Sequence, residues 1–251
     1  MRYKRVLLKL SGEAIAKKGA NGETEEIFDR EIIDKITDVI KRLVAEGVQV
    51  GIVIGAGNIW RGALGEGVTR ARADHMGMLA TMINCLRLED ALEKKDCGVT
   101  VMTPVAMNSF AEVYDFKKAI EYLNNGTVVI FGAGTGIPFV STDTAAVVRA
   151  AEIGADVILM AKNIDGVYTC DPNKPGNKDK AQKYKVVSYD RCLKDDLHAT
   201  DVAASALAEE QGIDMYVFAL SSPENILRAA DGEEIGTFVS CNREIEDELY
   251  R

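Results

Sequence analysis

The chain has 251 residues, 47% of them hydrophobic, enough to bury a substantial core and too apolar for a disordered protein. Thirty basic residues against thirty-nine acidic ones leave a net charge of −9, so the surface as a whole is not built for nucleic acid or anionic lipid, and any phosphate site must be local. Val6 to Leu10 is a short apolar run closed by Ser11-Gly12, the pattern of a buried strand followed by a turn. Interrupted by Lys9, the run is too short for a signal peptide or a membrane span.

A looser stretch follows from Lys17 to Glu26. Phe28, Ile32, Ile36, Val39 and Leu43 then recur at helical steps, predicting an amphipathic helix that Gly47 ends. Val48 to Ile54 is nearly all apolar, as a strand buried on both faces must be, and terminates in Gly55-Ala56-Gly57. Next come a helix at about Arg70 to Glu93, a strand at Val99 to Thr103 and a helix at Asp115 to Asn125. Thr127 to Phe131 leads into Gly132-Ala133-Gly134-Thr135-Gly136, and Thr142-Asp143 opens a helix through Ala150. After a strand at Asp156 to Ala161, the lysine-rich segment Asp171 to Lys185 has prolines and no helical period, and reads as an exposed excursion. A helix near Thr200 to Gln211, a strand at Met215 to Leu220, a helix from Pro223 and a strand at Thr237 to Ser240 complete the pattern. Strands separated by helices of this length need crossover connections, which predicts one α/β domain over residues 1–251, a three-layer αβα sandwich around a mostly parallel sheet.

In such sheets ligands sit beyond the carboxyl ends of the strands. Three of the predicted strands end in glycine-containing turns, at Lys9-Leu10-Ser11-Gly12, Gly55-Ala56-Gly57 and Gly132 to Gly136. Glycine lets backbone N–H groups converge on an anion, and a following helix adds its dipole. Each turn alone reads as an ordinary strand-to-helix connection; three at one edge point to phosphate. No Gly-x-x-x-x-Gly-Lys-Ser/Thr and no complete Gly-x-Gly-x-x-Gly opening a helix is present. His75 and His198 accompany no nucleophile motif and lack zinc-ligand spacing, and no protein metal site is predicted. Five cysteines without a Cys-x-x-Cys pair suit reduced thiols in the cytoplasm.

Lys9 puts a charge inside an apolar strand. It either grips phosphate oxygens or snorkels to solvent from an edge strand. Arg61 follows Gly57 by four residues, and Asp74 precedes Met76, Met78 and Met82, which read most simply as core. Asp143, at a helix start, reads as an N-cap compatible with a catalytic role.

Taken in order, Lys9-Leu-Ser-Gly-Glu13, Gly55-Ala-Gly-Asn-Ile-Trp-Arg-Gly62, Ala73-Asp-His-Met-Gly-Met-Leu-Ala-Thr81, Gly134-Thr-Gly-Ile-Pro-Phe-Val-Ser-Thr-Asp143 and Asp165-Gly-Val-Tyr-Thr-Cys-Asp-Pro172 resemble the amino acid kinase family, and most of all its bacterial-type UMP kinase branch. The resemblance spans essentially the whole chain. It implies phosphoryl transfer from ATP to UMP in pyrimidine nucleotide biosynthesis, with Mg²⁺ carried mainly on the nucleotide phosphates. Residues up to about 140 would form the acceptor side and the remainder the ATP side. Ala56, Asp74 and the loop Thr135, Gly136, Ile137, Pro138, Phe139, Val140, Ser141 and Thr142 would hold UMP. Lys9, Leu10, Ser11, Gly12, Gly57 and Arg61 would line the phosphates, and Asn163, Tyr168 and Asp171 would hold the ATP ribose and base. Lys9, Arg61 and Asp143 would be catalytic, Asp143 positioning Lys9 or the metal.

The resemblance further implies a homohexamer answering to GTP and UTP, with an effector loop at Gly19 to Thr24 that reads equally well as a solvated loop. It implies no nucleic-acid or membrane partner. The chain departs from the family pattern at Ala56, where a third glycine is usual, at Ile137, where asparagine is common, and at Val140-Ser141, where Phe-Thr is common. A carboxylate or carbamate acceptor within the same family, and a nucleotide-binding sensor or storage protein without turnover, stay open at this point.

Overall fold

In the computed structural model, which describes residues 1–251 apart from 20, 61–66, 178, 198–199 and 251, the chain enters strand β1 (Arg5–Leu10) almost at once. A 3-10 turn (Gly12–Ile15) leads to a small hairpin, β2 (Lys17–Lys18) and β3 (Thr24–Glu26), within the looser stretch. Helix α1 (Arg30–Ala45) starts at Asp29, whose carboxylate accepts the Glu31 and Ile32 N–H groups, and turns Ile33, Ile36, Val39, Ile40 and Leu43 inward. Gly47, at φ 82°, closes it in the left-handed conformation that favours glycine.

There follow β4 (Gln49–Ile54), α2 (Arg70–Glu93), β5 (Val99–Thr103), β6 (Glu112–Val113), α3 (Phe116–Asn124), β7 (Val128–Phe131) and α4 (Thr142–Ile153). Then come β8 (Val157–Lys162), β9 (Tyr184–Ser188), α5 (Tyr189–Lys194), α6 (Val202–Gln211), β10 (Met215–Ala219), α7 (Asn225–Asp231), β11 (Thr237–Ser240) and β12 (Glu248–Leu249). The lysine-rich excursion therefore ends sooner than predicted, because its last residues pair as β9.

One ten-stranded sheet runs β12-β9-β11-β10-β8-β1-β4-β7-β5-β6. From β10 across to β6 all neighbours are parallel, as the helical crossovers require. Antiparallel pairing is confined to the other edge, where β11 runs against β10 and β12 against β9.

Helices cover both faces. One core joins Val6, Leu8 and Leu10 to α1, α2 and α7, and the other joins Leu7 to α3, α4, α5 and α6. Side chains alternate along a strand, so Lys9 shares the face of Leu7 and points toward α4. β1 is flanked by β4 and β8, which places Lys9 in mid-sheet and removes the edge-strand reading. The chain works outward from β1 on one side, then returns through α4 to β8 on the other. The carboxyl end of β1 is therefore a topological switch point, where open α/β sheets leave a crevice for ligands.

Candidate functional site

Lys9 and Lys162 converge on one carboxylate. Lys9 Nζ lies 2.6 Å from Asp143 Oδ1, and Lys162 Nζ, at the end of β8, lies 2.9 Å from Asp143 Oδ2. In register, Leu10 pairs with Ala161, so Lys162 falls level with the turn that begins at Ser11. Asp143 is not the N-cap it was expected to be. Ser141 Oγ fills that role, accepting the Asp143 and Thr144 N–H groups at 3.1 and 3.0 Å, which leaves the Asp143 carboxylate for the lysines. Burial alone would raise the Asp143 carboxyl; the Lys9 and Lys162 ammonium groups outweigh it and hold the group down at about 2. Two ammonium groups thus meet on one carboxylate in a crevice where Lys9 is 7% exposed. Lys162 was missed from the sequence, although it shows the signal that marked Lys9, a lysine at the carboxyl end of an apolar strand.

The glycine turns after β1 and β4 meet backbone to backbone. A Cβ on Gly12 would stand 2.4 Å from the Gly55 carbonyl oxygen and 2.8 Å from the Gly57 nitrogen, so only glycine fits. Beneath them, buried Asn84 donates to the Gly55 carbonyl at 2.7 Å and exchanges hydrogen bonds with buried Asn58 at 2.8 and 3.0 Å. Neither amide carried a signal in the sequence. Leu10 is fully buried and offers the site only its backbone, while Ser11 makes no side-chain capping bond. Asn163 donates to Glu13 Oε2 at 3.1 Å over the first turn. Arg61 lies outside the described residues.

On one side of this cluster a cavity of about 170 Å³ opens between the β4 turn, α2 and the loop after β7. Ala56, Asp74, Thr135, Ile137, Val140 and Thr142 line it, as do Trp60, Met78 and Thr81, which the sequence reading did not select. Of the three methionines read as core, only Met82 is fully inside, since Met78 lines the cavity and Met76 is exposed. Trp60 is anchored by its Nε1–H to the Ala73 carbonyl at 2.8 Å, and Thr81 Oγ1 accepts the Ala133 N–H at 2.9 Å.

Gly136, Pro138, Phe139 and Ser141 belong to the same loop without lining the cavity. Gly136 packs on Pro104, Ser141 also donates to Asp201, and the Phe139 N–H donates to Asp74 Oδ2 at 2.9 Å. Arg70 Nε holds both Asp74 oxygens at 3.0 Å. Ala133 at φ 55° and Phe139 at φ 69° are left-handed without being glycine, a strained conformation that the ties to Thr81 and Asp74 sustain.

On the other side a larger cavity, about 460 Å³, is lined by Ile164, Val167, Tyr168, Asp171 and Leu197 among others. Tyr168 and Asp171 thus meet in one cavity, and Asn163 stands outside its lining. The Tyr168 hydroxyl donates to Asp165 at 2.8 Å, and Lys183 reaches the other Asp165 oxygen at 3.1 Å. Burial and the Asp165 carboxylate push the Tyr168 phenol up to about 12. Two cavities flanking a pair of ammonium groups suit a group transfer between two ligands that meet through their anionic ends. No described helix is long and apolar enough to cross a membrane.

Residues 4–219 match the profile of the amino acid kinase family. Among solved structures, the UMP kinase from Bacillus anthracis is similar with 38% identity and a TM-score of 0.90, the match covering 100% of both chains. The UMP kinase from Ureaplasma parvum shares 33% identity over 96% of this chain and 100% of its own, with a TM-score of 0.86. Uridylate kinase from Archaeoglobus fulgidus shares 29% identity over 94% of this chain and 99% of its own, with a TM-score of 0.70.

Proposed function

The chain belongs to the amino acid kinase family, and from that premise we propose that it transfers the terminal phosphoryl group of ATP to UMP, giving ADP and UDP in pyrimidine nucleotide biosynthesis. The observation that carries this reading is the Lys9–Asp143–Lys162 cluster between two cavities. A nucleoside monophosphate is largely dianionic near neutral pH, its second pKa being about 6, so the acceptor needs no general base. The reaction needs in-line positioning and neutralisation of charge on the transferred group. Lys9 and Lys162 supply two ammonium groups whose spacing is fixed by the carboxylate they share, so little reorganisation is needed as charge moves. The glycine turns at Gly12 and Gly57 keep side chains away, so phosphate oxygens can approach the backbone.

UMP is assigned to the smaller cavity with Ala56, Asp74 and the loop from Thr135 to Thr142, and the ATP base and ribose to the larger one with Tyr168 and Asp171. Arg61 joins the catalytic set on the strength of the resemblance alone. Mg²⁺ would enter on the ATP phosphates, where it offsets their charge. Both Asp143 oxygens are engaged by lysines, so this reading has Mg²⁺ held through the nucleotide phosphates. We assign a cytoplasmic location from the free thiols. Self-association is supported by the outer face of α2, which exposes Met76, Leu79 and Ile83, and six copies rest on the resemblance. GTP and UTP as effectors, acting at the turn between β2 and β3, rest on the resemblance.

ADP release from ATP tests the reading, with UMP, CMP, aspartate, acetylglutamate or carbamate offered separately. Turnover with UMP alone is expected. Turnover only with a carboxylate or carbamate would overturn the acceptor, and silence with all would favour a sensor. In the same assay Lys162→Met should lower kcat by ~10²-fold, about 3 kcal/mol in the barrier, with unchanged folding by circular dichroism. Near-normal turnover by this variant would remove Lys162 from the mechanism.

A further inference from the structure

Helix α4 carries Asp143 in its first turn and, further along, Arg149, whose side chain is almost wholly buried at 4% residue exposure. The inward face around it is Ala145, Ala146, Val147, Ala150 and Ile153, all fully buried. A guanidinium in that company is costly unless its donors are satisfied, and Arg149 Nε is buried without a partner. Packing alone would be served as well or better by an apolar side chain. What an apolar side chain could not do is reach the Gly134 carbonyl, to which Arg149 Nη2 donates at 3.2 Å.

The guanidinium is aimed by two neighbours. Its Nη1 donates to Glu152 Oε2 at 2.6 Å, and its Cζ lies over the Tyr114 ring, 3.8 Å from the centroid. The Tyr114 hydroxyl donates to the same Glu152 oxygen at 2.6 Å, and its ring meets Phe131 edge-on at 5.7 Å, at the end of β7. Gly134 and Ala133 form part of the smaller cavity's wall, both in left-handed conformations at φ 59° and 55°. That wall is therefore tied on one side to α2 through Thr81 and on the other to α4 through Arg149.

We propose that Arg149 is a positioning residue for the phosphoryl acceptor: through the Gly134 carbonyl it holds the acceptor wall in register with Asp143 on the same helix, without touching a reacting group. The proposal rests on the reading of the smaller cavity as the UMP site. Its signature is a selective loss of acceptor affinity. Trp60, the single tryptophan of the chain, lines that cavity, so its fluorescence reports UMP binding without turnover.

Arg149→Met should raise both the UMP KM and the UMP dissociation constant from Trp60 fluorescence about tenfold, the scale of one lost charge-assisted hydrogen bond. Its ATP KM should stay unchanged and its kcat within about threefold. Tyr114→Phe keeps the ring but removes the hydroxyl that holds Glu152 alongside Arg149, and should shift UMP affinity in the same direction by less. A folded Arg149→Met protein with lower thermal stability and unchanged UMP constants would overturn the proposal, leaving Arg149 a packing residue. Should Arg149→Met not fold, Tyr114→Phe and Glu152→Gln decide: weaker UMP binding with an unchanged ATP KM supports the proposal, and unchanged UMP binding in both overturns it. A wild-type protein that neither phosphorylates nor binds UMP would sink the acceptor assignment and this proposal with it. A UMP-active wild type with unmoved variants sinks the role of Arg149 alone.

Discussion

Asp143 does its work by staying charged. A carboxyl held at about 2 in the fold, against an ordinary 3.8, binds its proton more readily in the unfolded chain. Its contribution to stability is therefore complete above about pH 4 and is lost as pH falls from there through about 2, on the order of 2 kcal/mol in all. Urea unfolding at a series of pH values should show the wild type losing stability more steeply than Asp143→Asn across that window. Parallel pH dependences in the two proteins would mean that the lysines do not hold the carboxyl down. Because Asp143 is ionised throughout the working range, the acid limb of UMP turnover belongs to the acceptor phosphate, near its second pKa of about 6. Lys9 was legible as a charge in an apolar strand, and Lys162 could have been read in the same way. Asp143 entered beside Lys9 through the resemblance, but that the same carboxylate also takes Lys162 could not be read, since 9, 143 and 162 lie far apart in the chain and meet only across β1, α4 and β8.

Helix α2 and the loop after β7 together wall the cavity proposed for the acceptor, and neither is shaped for it alone. The loop holds Phe139 left-handed because Asp74, itself clamped by Arg70, accepts its N–H. Asp74→Ala should release that end of the loop and raise the UMP KM about tenfold, the magnitude of a hydrogen bond to a charged group, while leaving the ATP KM unchanged. Steady-state kinetics with each substrate varied in turn checks this, and an unmoved UMP KM would make Asp74 a helix-surface residue only. The sequence placed a helix at about Arg70 to Glu93, where α2 lies, but not its two-sided character. Ala80, Met82, Cys85 and Leu88 go inward while Met76, Leu79 and Ile83 stay outside, so the same residue types serve opposite faces. Residues 17–26 and the strands β6 and β12 escaped detection because two or three residues are too few to display a period.

The sheet as a whole puts its longest parallel section around β1, and both proposed ligand sites flank its carboxyl end. A second copy of the chain is the occupant proposed for the outer face of α2. Light scattering on the wild type should give an oligomer, and Leu79→Glu, which sets a charge into that face, should reduce the mass. An unchanged mass in a folded variant would place the interface elsewhere. The succession of strands and helices along the chain, the parallel architecture and the glycine turns proposed to face phosphate are written in local patterns: alternation of apolar runs, helical spacing, and glycine where a strand must turn sharply. Strand order, the antiparallel edge, the shared carboxylate of Lys9 and Lys162, and the reach of Arg149 to Gly134 depend on which distant segments become neighbours. That choice is settled by burying both faces of one sheet at once, and no local period encodes it.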